Sequence, residues 1–320
     1  MDFTPVVYEH AAALIECSPW DVSRDTELLC SAHLEAYRQY HHTPVVVGID
    51  IYNLEPEAYG AEIGKPEGHG IPAVVKPICP SVHDLAQIPL FDPSTGGRIP
   101  LVIQAAKRLA TELPEADVRV PVSGPISIAG NLMGFETLLC DALADSQATI
   151  GALMHLVEGQ LRFCKKVRAH GLGVSLFESG ASPPLISPRL FRDLVLPALK
   201  RLVDGAADIF GKPIPVIMGG DTLPILDYIL ETGTDYVICP VETDQPAFMA
   251  KIKDRTETGV RVNMSPRIVA NGSRDETTAE VKRVLEIAQI RENTCIGTGP
   301  LPYETPPANV EFIAGIIGSL

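Results

Sequence analysis

The sequence predicts an α/β fold of the (β/α)8-barrel type, and three observations predict it. Short, mostly apolar runs alternate with long amphipathic stretches. Glycine and proline mark many of the junctions between them. No Gly/Ser linker, low-complexity tract or internal repeat divides the 320 residues, so one domain over 1–320 is expected. Continuous apolar runs of about four to eight residues suit strands covered on both faces. Their alternation with helices implies a parallel sheet.

The strand candidates are Pro44–Asp50, Asp117–Ser123, Gly173–Glu178, Ile214–Met218, Asp235–Cys239, Val260–Met264 and Thr294–Gly297. An ambiguous run, Ala73–Lys76, brings the set close to the eight strands of a closed barrel. An open doubly wound sheet satisfies the same periodicity. Helical patterns occupy Asp25–Tyr40, Ile99–Leu113, Asn131–Ala144, Ile150–Ala169, Pro188–Phe210, Leu223–Thr232, Thr277–Ile290 and Pro307–Ile317. Ser187-Pro188 reads as an N-cap followed by proline at the first helical position, and Thr305-Pro306-Pro307 reads the same way. Gly171 and Gly233 sit where a helix must turn into the next strand. The Gly- and Pro-rich segment Glu55–Gly97 is expected to be an inserted loop or hairpin, placed as a lid.

A hydrophobic fraction of 46% suits a globular chain with a sizeable core. A net charge of −14 disfavours nucleic acid or an anionic membrane surface as the main partner. The seven cysteines are odd in number and form no CxxC pair, which fits a reducing cytoplasm better than a disulfide framework. No signal peptide pattern and no apolar stretch of roughly 18 residues occurs, so no membrane span is expected. A small-molecule substrate is the expected partner, and a homodimer is left open.

Several catalytic motifs are absent: there is no P-loop, no G-x-S-x-G and no H-E-x-x-H. All eight histidines lie at or before His170, so the second half of the barrel offers no imidazole. Chemistry there falls to carboxylates, Cys, Tyr, Asn or backbone. In such barrels, functional groups gather at the C-terminal strand ends. Asp50 follows an apolar run and is a candidate acid–base or ligand-orienting group; its structural alternative is a turn cap. Tyr52, Asn53 and Glu55 follow it toward the same mouth. Glu178 ends another strand as a candidate base, or else pairs with a neighbouring arginine. Asp221 follows Gly219-Gly220 and either meets a ligand or caps the next helix. Asn263 and Arg267 flank Met264-Ser265-Pro266, where Arg267 is placed to hold a substrate anion or form a structural ion pair.

Four blocks carry a resemblance. Ser123-Gly124-Pro125-Ile126-Ser127-Ile128-Ala129-Gly130, Ala181-Ser182-Pro183-Pro184-Leu185-Ile186-Ser187-Pro188, the pair Gly297-Thr298-Gly299 and Thr305-Pro306-Pro307-Ala308-Asn309-Val310, and Val47-Gly48-Ile49-Asp50-Ile51 stand in the order seen in the uroporphyrinogen decarboxylase superfamily. The chain resembles that superfamily over roughly Val45 to Leu320, and Glu57-Ala58-Tyr59-Gly60-Ala61-Glu62 is similar to its methyltransferase branch. The resemblance implies a barrel with one of two chemistries: metal-free decarboxylation of a tetrapyrrole, or methyl transfer between a corrinoid and a thiol activated by zinc. It places Asp50 at the decarboxylase's pyrrole-binding aspartate, and Ser123, Asn131 and Thr298 at the substrate site. The decarboxylase arginines are replaced by the stretch Glu16–Arg24, in which Arg24 alone is basic. The zinc ligand positions fall at Ile217, Gly219 and Thr298, so zinc is not expected unless Asp50, Glu178 and Cys239 form another set. The leading expectation is transfer of a one-carbon group between a corrinoid (methylcobalamin on a partner protein) and a small acceptor. A tetrapyrrole decarboxylase and a non-catalytic tetrapyrrole or small-ligand binder are the alternatives.

Overall fold

A computed structural model describes residues 1–319. In chain order its strands are β1 (Phe3–Val6), β2 (Val45–Val46), β3 (Ile63–Gly64), β4 (Ala73–Val74), β5 (Val118–Ser123), β6 (Gly173–Phe177), β7 (Val216–Ile217), β8 (Tyr236–Cys239), β9 (Gly259–Met264) and β10 (Thr294–Pro300). Two four-stranded sheets, β1-β10-β9-β8 and β2-β5-β6-β7, form the barrel wall, and every ladder in them is parallel. Side chains close the two seams. The Thr4 hydroxyl donates to the Thr43 carbonyl at 3.3 Å, and Val216 N donates to Thr234 Oγ1 at 3.0 Å. The fold is thus the expected (β/α)8 barrel, and the open-sheet alternative is set aside.

The eighth barrel strand is the N-terminal Phe3–Val6, not Ala73–Lys76. Phe3-Thr4-Pro5-Val6 is short and contains a proline, which removes a ladder donor and hides the strand pattern. Ala73–Val74 instead pairs antiparallel with Ile63–Gly64 as a hairpin within the inserted segment.

Most helices lie where the periodicity put them, with local exceptions. The pattern over Asn131–Ala144 is two helices, Pro125–Met133 and Phe135–Ala144, because Gly134 takes φ +83° and breaks the ladder. Helices Tyr8–Leu14 and Gln245–Ile252 lie outside the expected helical patterns. Ser187 caps its helix by accepting from Leu190 N, whereas Thr305 makes no cap and Pro306 occupies that position. The main core is the large cluster that joins the barrel strands to the helices, and a second, small apolar cluster is formed by Val6, Tyr8, Ile51 and Phe177. Among the described residues, no single helix is long and apolar enough to cross a membrane.

Thr298 closes the ring. The β1–β10 register shifts between Thr4 and Val6, which frees Val6 N from the regular ladder, and the fully buried Thr298 hydroxyl accepts it at 3.0 Å. Thr298→Val leaves that donor buried without a partner. It is expected to cost about 1–3 kcal/mol in urea denaturation, whereas Thr298→Ser is expected to cost clearly less because the acceptor persists.

Candidate active site at the barrel mouth

Two buried glutamates organise the mouth around Ser123 and Gly124. Glu178, directly after β6, turns its carboxylate onto the first turn of helix Pro125–Met133. Oε1 accepts from Ser127 N at 2.8 Å and Ser127 Oγ at 2.6 Å, and Oε2 accepts from Ile126 N at 3.1 Å. A helix N-terminus offers unpaired N–H groups, so the carboxylate caps it. Neither an arginine partner nor an open, solvated base is found here. Gly124 is required because a β-carbon there would overlap the Glu178 side chain. On the other side of the same turn, Glu55 accepts from Ser123 N at 2.7 Å and Ser123 Oγ at 2.9 Å. Burial pushes both carboxyls up to about 7, against the pull of the hydrogen bonds they accept.

Asp50 is held from outside the barrel. Its Oδ1 and Oδ2 accept from Arg98 Nη1 and Nη2, both at 2.7 Å, in a bidentate pair. Asn53 Nδ2 donates to Oδ2 at 3.2 Å. Asp50 is 4% exposed and makes no cap bond to the turn that follows it. Arg98 also donates to Glu57 Oε2 and to the Ser23 carbonyl. Burial works against its charge, but the two carboxylates prevail and its pKa rises. Arg24 lies 3.6 Å from Glu57 and stacks on Trp20. Sequence reasoning missed Arg98 because it ends the irregular insertion, about as far from Asp50 in sequence as the lid allows.

Tyr52, Asn53 and Asn131 join these groups. The Tyr52 hydroxyl donates to Ser179 Oγ at 2.8 Å, and that oxygen also accepts from Gly219 N at 2.9 Å. Burial pushes the Tyr52 phenol up to about 12. Asn131 Nδ2 donates to the Tyr52 carbonyl at 2.9 Å. The inserted segment lies across the mouth: Asn53 donates to the Pro72 carbonyl at 2.6 Å, Ile78 N and Cys79 N donate to Leu132 O, and the His69 ring stacks on Tyr303 at 3.9 Å. The lid expected from composition is therefore in contact with three separate mouth segments.

The second half of the barrel is less engaged. Asp221 does not cap a helix; its Oδ1 accepts from the Thr243 hydroxyl at 2.8 Å. Asn263 is buried and accepts from Arg261 Nε at 2.9 Å. Arg267 is exposed on helix Pro266–Asn271, away from any of these bonds. The Thr298 hydroxyl is taken by Val6, as described above.

The residues present do not fit a zinc ion. Ile217 packs on the apolar cluster of Tyr8 and Phe177, Gly219 has no side chain, and Thr298 is engaged. Cys239 is fully buried with its thiol against the Gln245 carbonyl, and burial pushes its pKa well up. Among the described residues, no three His, Cys, Asp or Glu side chains gather as a metal site, so Asp50, Glu178 and Cys239 form no alternative set.

Comparison with known proteins agrees with this architecture. The chain matches the uroporphyrinogen decarboxylase (URO-D) family over residues 1–318. It belongs to that family. A methylated-thiol–coenzyme M methyltransferase of Methanosarcina mazei is 26% identical over 187 residues, 57% of this chain and 48% of that relative. The matched region is thus about half the relative's length. The fold superposes on a methyltransferase structure from Methanosarcina mazei with TM-score 0.83 and 18% identity, covering 100% of this chain and 94% of the other.

Two outcomes follow from the buried charges. Removing Arg98 strands Asp50, whereas removing Asp50 leaves Arg98 with Glu57. Arg98→Ala is therefore expected to lose about 3–5 kcal/mol of unfolding free energy, and Asp50→Ala measurably less. The glutamates set a pH dependence. Unfolded, these carboxyls titrate near 4.5; folded, near 7. Between those values the folded chain holds protons that the unfolded chain has released. Stability should fall as pH rises from about 4.5 to about 7 and level off above, by a few kcal/mol per group. Glu9, buried and likewise pushed up to about 7, adds in the same direction. Urea titrations at pH 5 and pH 8 should show the difference, and Glu55→Gln should shrink it.

Proposed function

We propose that the chain is a methyltransferase-like enzyme that moves a one-carbon group between a corrinoid, carried on a partner protein, and a small acceptor bound at the barrel mouth. The observation that carries this reading is the state of Asp50. A decarboxylase of this family needs that carboxylate free, to accept pyrrole N–H groups and stabilise a cationic intermediate. A carboxylate offers about four lone-pair sites; Arg98 and Asn53 take three of them here. A polycarboxylate substrate also calls for several cations, and Arg24 and Arg98 are both already paired with acids. The relative's name, a methylated-thiol–coenzyme M methyltransferase, supports the same choice.

Within this reading the chain's own groups orient and enclose. Glu178 and Glu55 fix the Ser123–Ser127 turn, the Tyr52–Ser179 hydroxyl pair faces the acceptor side, and the inserted hairpin excludes water. The corrinoid, when bound, would supply the carbon–cobalt bond whose methyl group is transferred. On this reading the acceptor meets the Tyr52–Ser179 hydroxyl pair, which Gly219 N holds in place by donating to Ser179 Oγ.

The test follows demethylation of methylcobalamin by its visible spectrum, with a panel of small thiols and other acceptors, alongside conversion of uroporphyrinogen. Acceptor-dependent demethylation without decarboxylation is expected. Formation of coproporphyrinogen that disappears in Asp50→Asn would reverse the assignment, and tight corrinoid or tetrapyrrole binding without turnover would reduce the chain to a binder.

A further inference from the structure

Arg261 is buried inside the barrel with no acid to answer it. It stands on β9, is 8% exposed, and lines a partly open cavity of about 40 Å3 with Tyr8, Ser175, Phe177, Ile217 and Tyr236. Of its five N–H donors, one is used, by Nε to Asn263 Oδ1 at 2.9 Å. Among the described residues no carboxylate lies within 4.0 Å of the guanidinium. The other two buried arginines differ: Arg98 meets Asp50 and Glu57, and Arg291 meets the carbonyls of Arg255 and Thr258. β10 makes room for this side chain, since a β-carbon at Gly297 would overlap Arg261 Cδ.

The cavity has the sign an anion requires. Its wall contains Arg261 and Arg119 but no Asp or Glu, in a chain whose net charge is −14. Arg119 already holds Asp117, so Arg261 is the free cation. The titratable neighbours are neutral. Burial pushes the phenols of Tyr8 and Tyr236 and the thiol of Cys295 up, and pushes the imidazole of His42, also on the wall, down to about 3. A buried, uncompensated guanidinium is costly, and a bound oxyanion removes that cost through charge-assisted, fork-shaped hydrogen bonds. Toward the mouth the wall is apolar, formed by Val6, Val46, Phe177 and Ile217.

We propose that Arg261 anchors the anionic head of a small organic acid, a carboxylate or sulfonate, whose short aliphatic arm runs along the Phe177–Ile217 wall toward the mouth. Arg261 and this cavity form a ligand site in their own right. Only the identification of this acid with the acceptor rests on the methyltransferase reading.

The experiment measures binding, not turnover, so it stands if that reading fails. Propionate and ethanesulfonate are titrated into the full chain, with propionamide as the neutral control, and binding is read by calorimetry and by the rise in melting temperature. Saturable binding of one or both anions, absent for propionamide, is expected; the tighter of the two identifies the head group. In Arg261→Met the Kd should weaken at least tenfold, while the ligand-free variant melts no lower than the wild type because a buried uncompensated charge has been removed. Arg261→Lys should keep part of the affinity. Equal effects of the anions on wild type and Arg261→Met, or no saturable binding to the wild type, would overturn the proposal. So would a ligand-free Arg261→Met that loses stability without any anion effect in the wild type, since Arg261 would then be a packing residue.

Discussion

The mouth of this barrel depends on two glutamates that arrive from different parts of the chain and close on one turn. Glu178 comes off the end of β6, and Glu55 comes from the start of the inserted segment. Between them lies Ser123-Gly124-Pro125, where β5 becomes a helix. Each carboxylate accepts backbone N–H groups that the strand-to-helix turn would otherwise leave buried and unpaired. Gly124 is the price of that arrangement, because only a residue without a β-carbon lets Glu178 reach the helix. From this fixed turn the rest of the mouth is positioned in sequence. Asn131, farther along the same helix, holds the Tyr52 carbonyl, Tyr52 holds Ser179, and Ser179 holds Gly219 at the end of β7.

That chain of contacts fixes the mouth on the family's barrel framework. The strand ends are retained, but the groups on them face different partners. Asp50 is paired with Arg98, and Ile217, two residues before Gly219, packs on the cluster of Phe177 and Tyr8. For the proposed activity, an apolar floor favours a small, partly aliphatic acceptor, whose burial is driven by the area it removes from water. It does not favour a bare cation. The inserted hairpin, fastened at Asn53, Leu132 and Tyr303, supplies the cover that such a site needs to exclude solvent.

Much of the architecture was legible in the residues. Apolar runs of strand length marked seven barrel strands, and Ser187-Pro188 marked a helix start, because these signals are local. β1 was not legible, since its four residues include a proline and its pairing with β10 joins the two ends of the chain. At the mouth, the barrel-end rule pointed to Asp50, Tyr52, Asn53 and Glu178 and the family resemblance to Ser123 and Asn131; Glu178, Ser123, Asn131 and Tyr52 are linked around the strand-to-helix turn, while Asp50 and Asn53 pair with each other beside Arg98. Their partners were beyond reach. Arg98 meets Asp50 through an irregular insertion, and Arg261 lies mid-strand, where sequence alone cannot tell an inward from an outward side chain. Thr298 and Arg267 matched by position, but hydrogen bonding took one and the surface took the other.

The central claim is that the described residues of this mouth do not form a zinc site, so that the proposed activity works with carboxylates, hydroxyls and backbone. Its most direct test is metal content by mass spectrometry, on protein purified without chelator and then offered zinc and dialysed. The account predicts far less than one zinc per chain. About one zinc per chain, lost when Glu178 or Cys239 is replaced, would contradict it and would mean that these residues rearrange into a ligand set when the metal arrives.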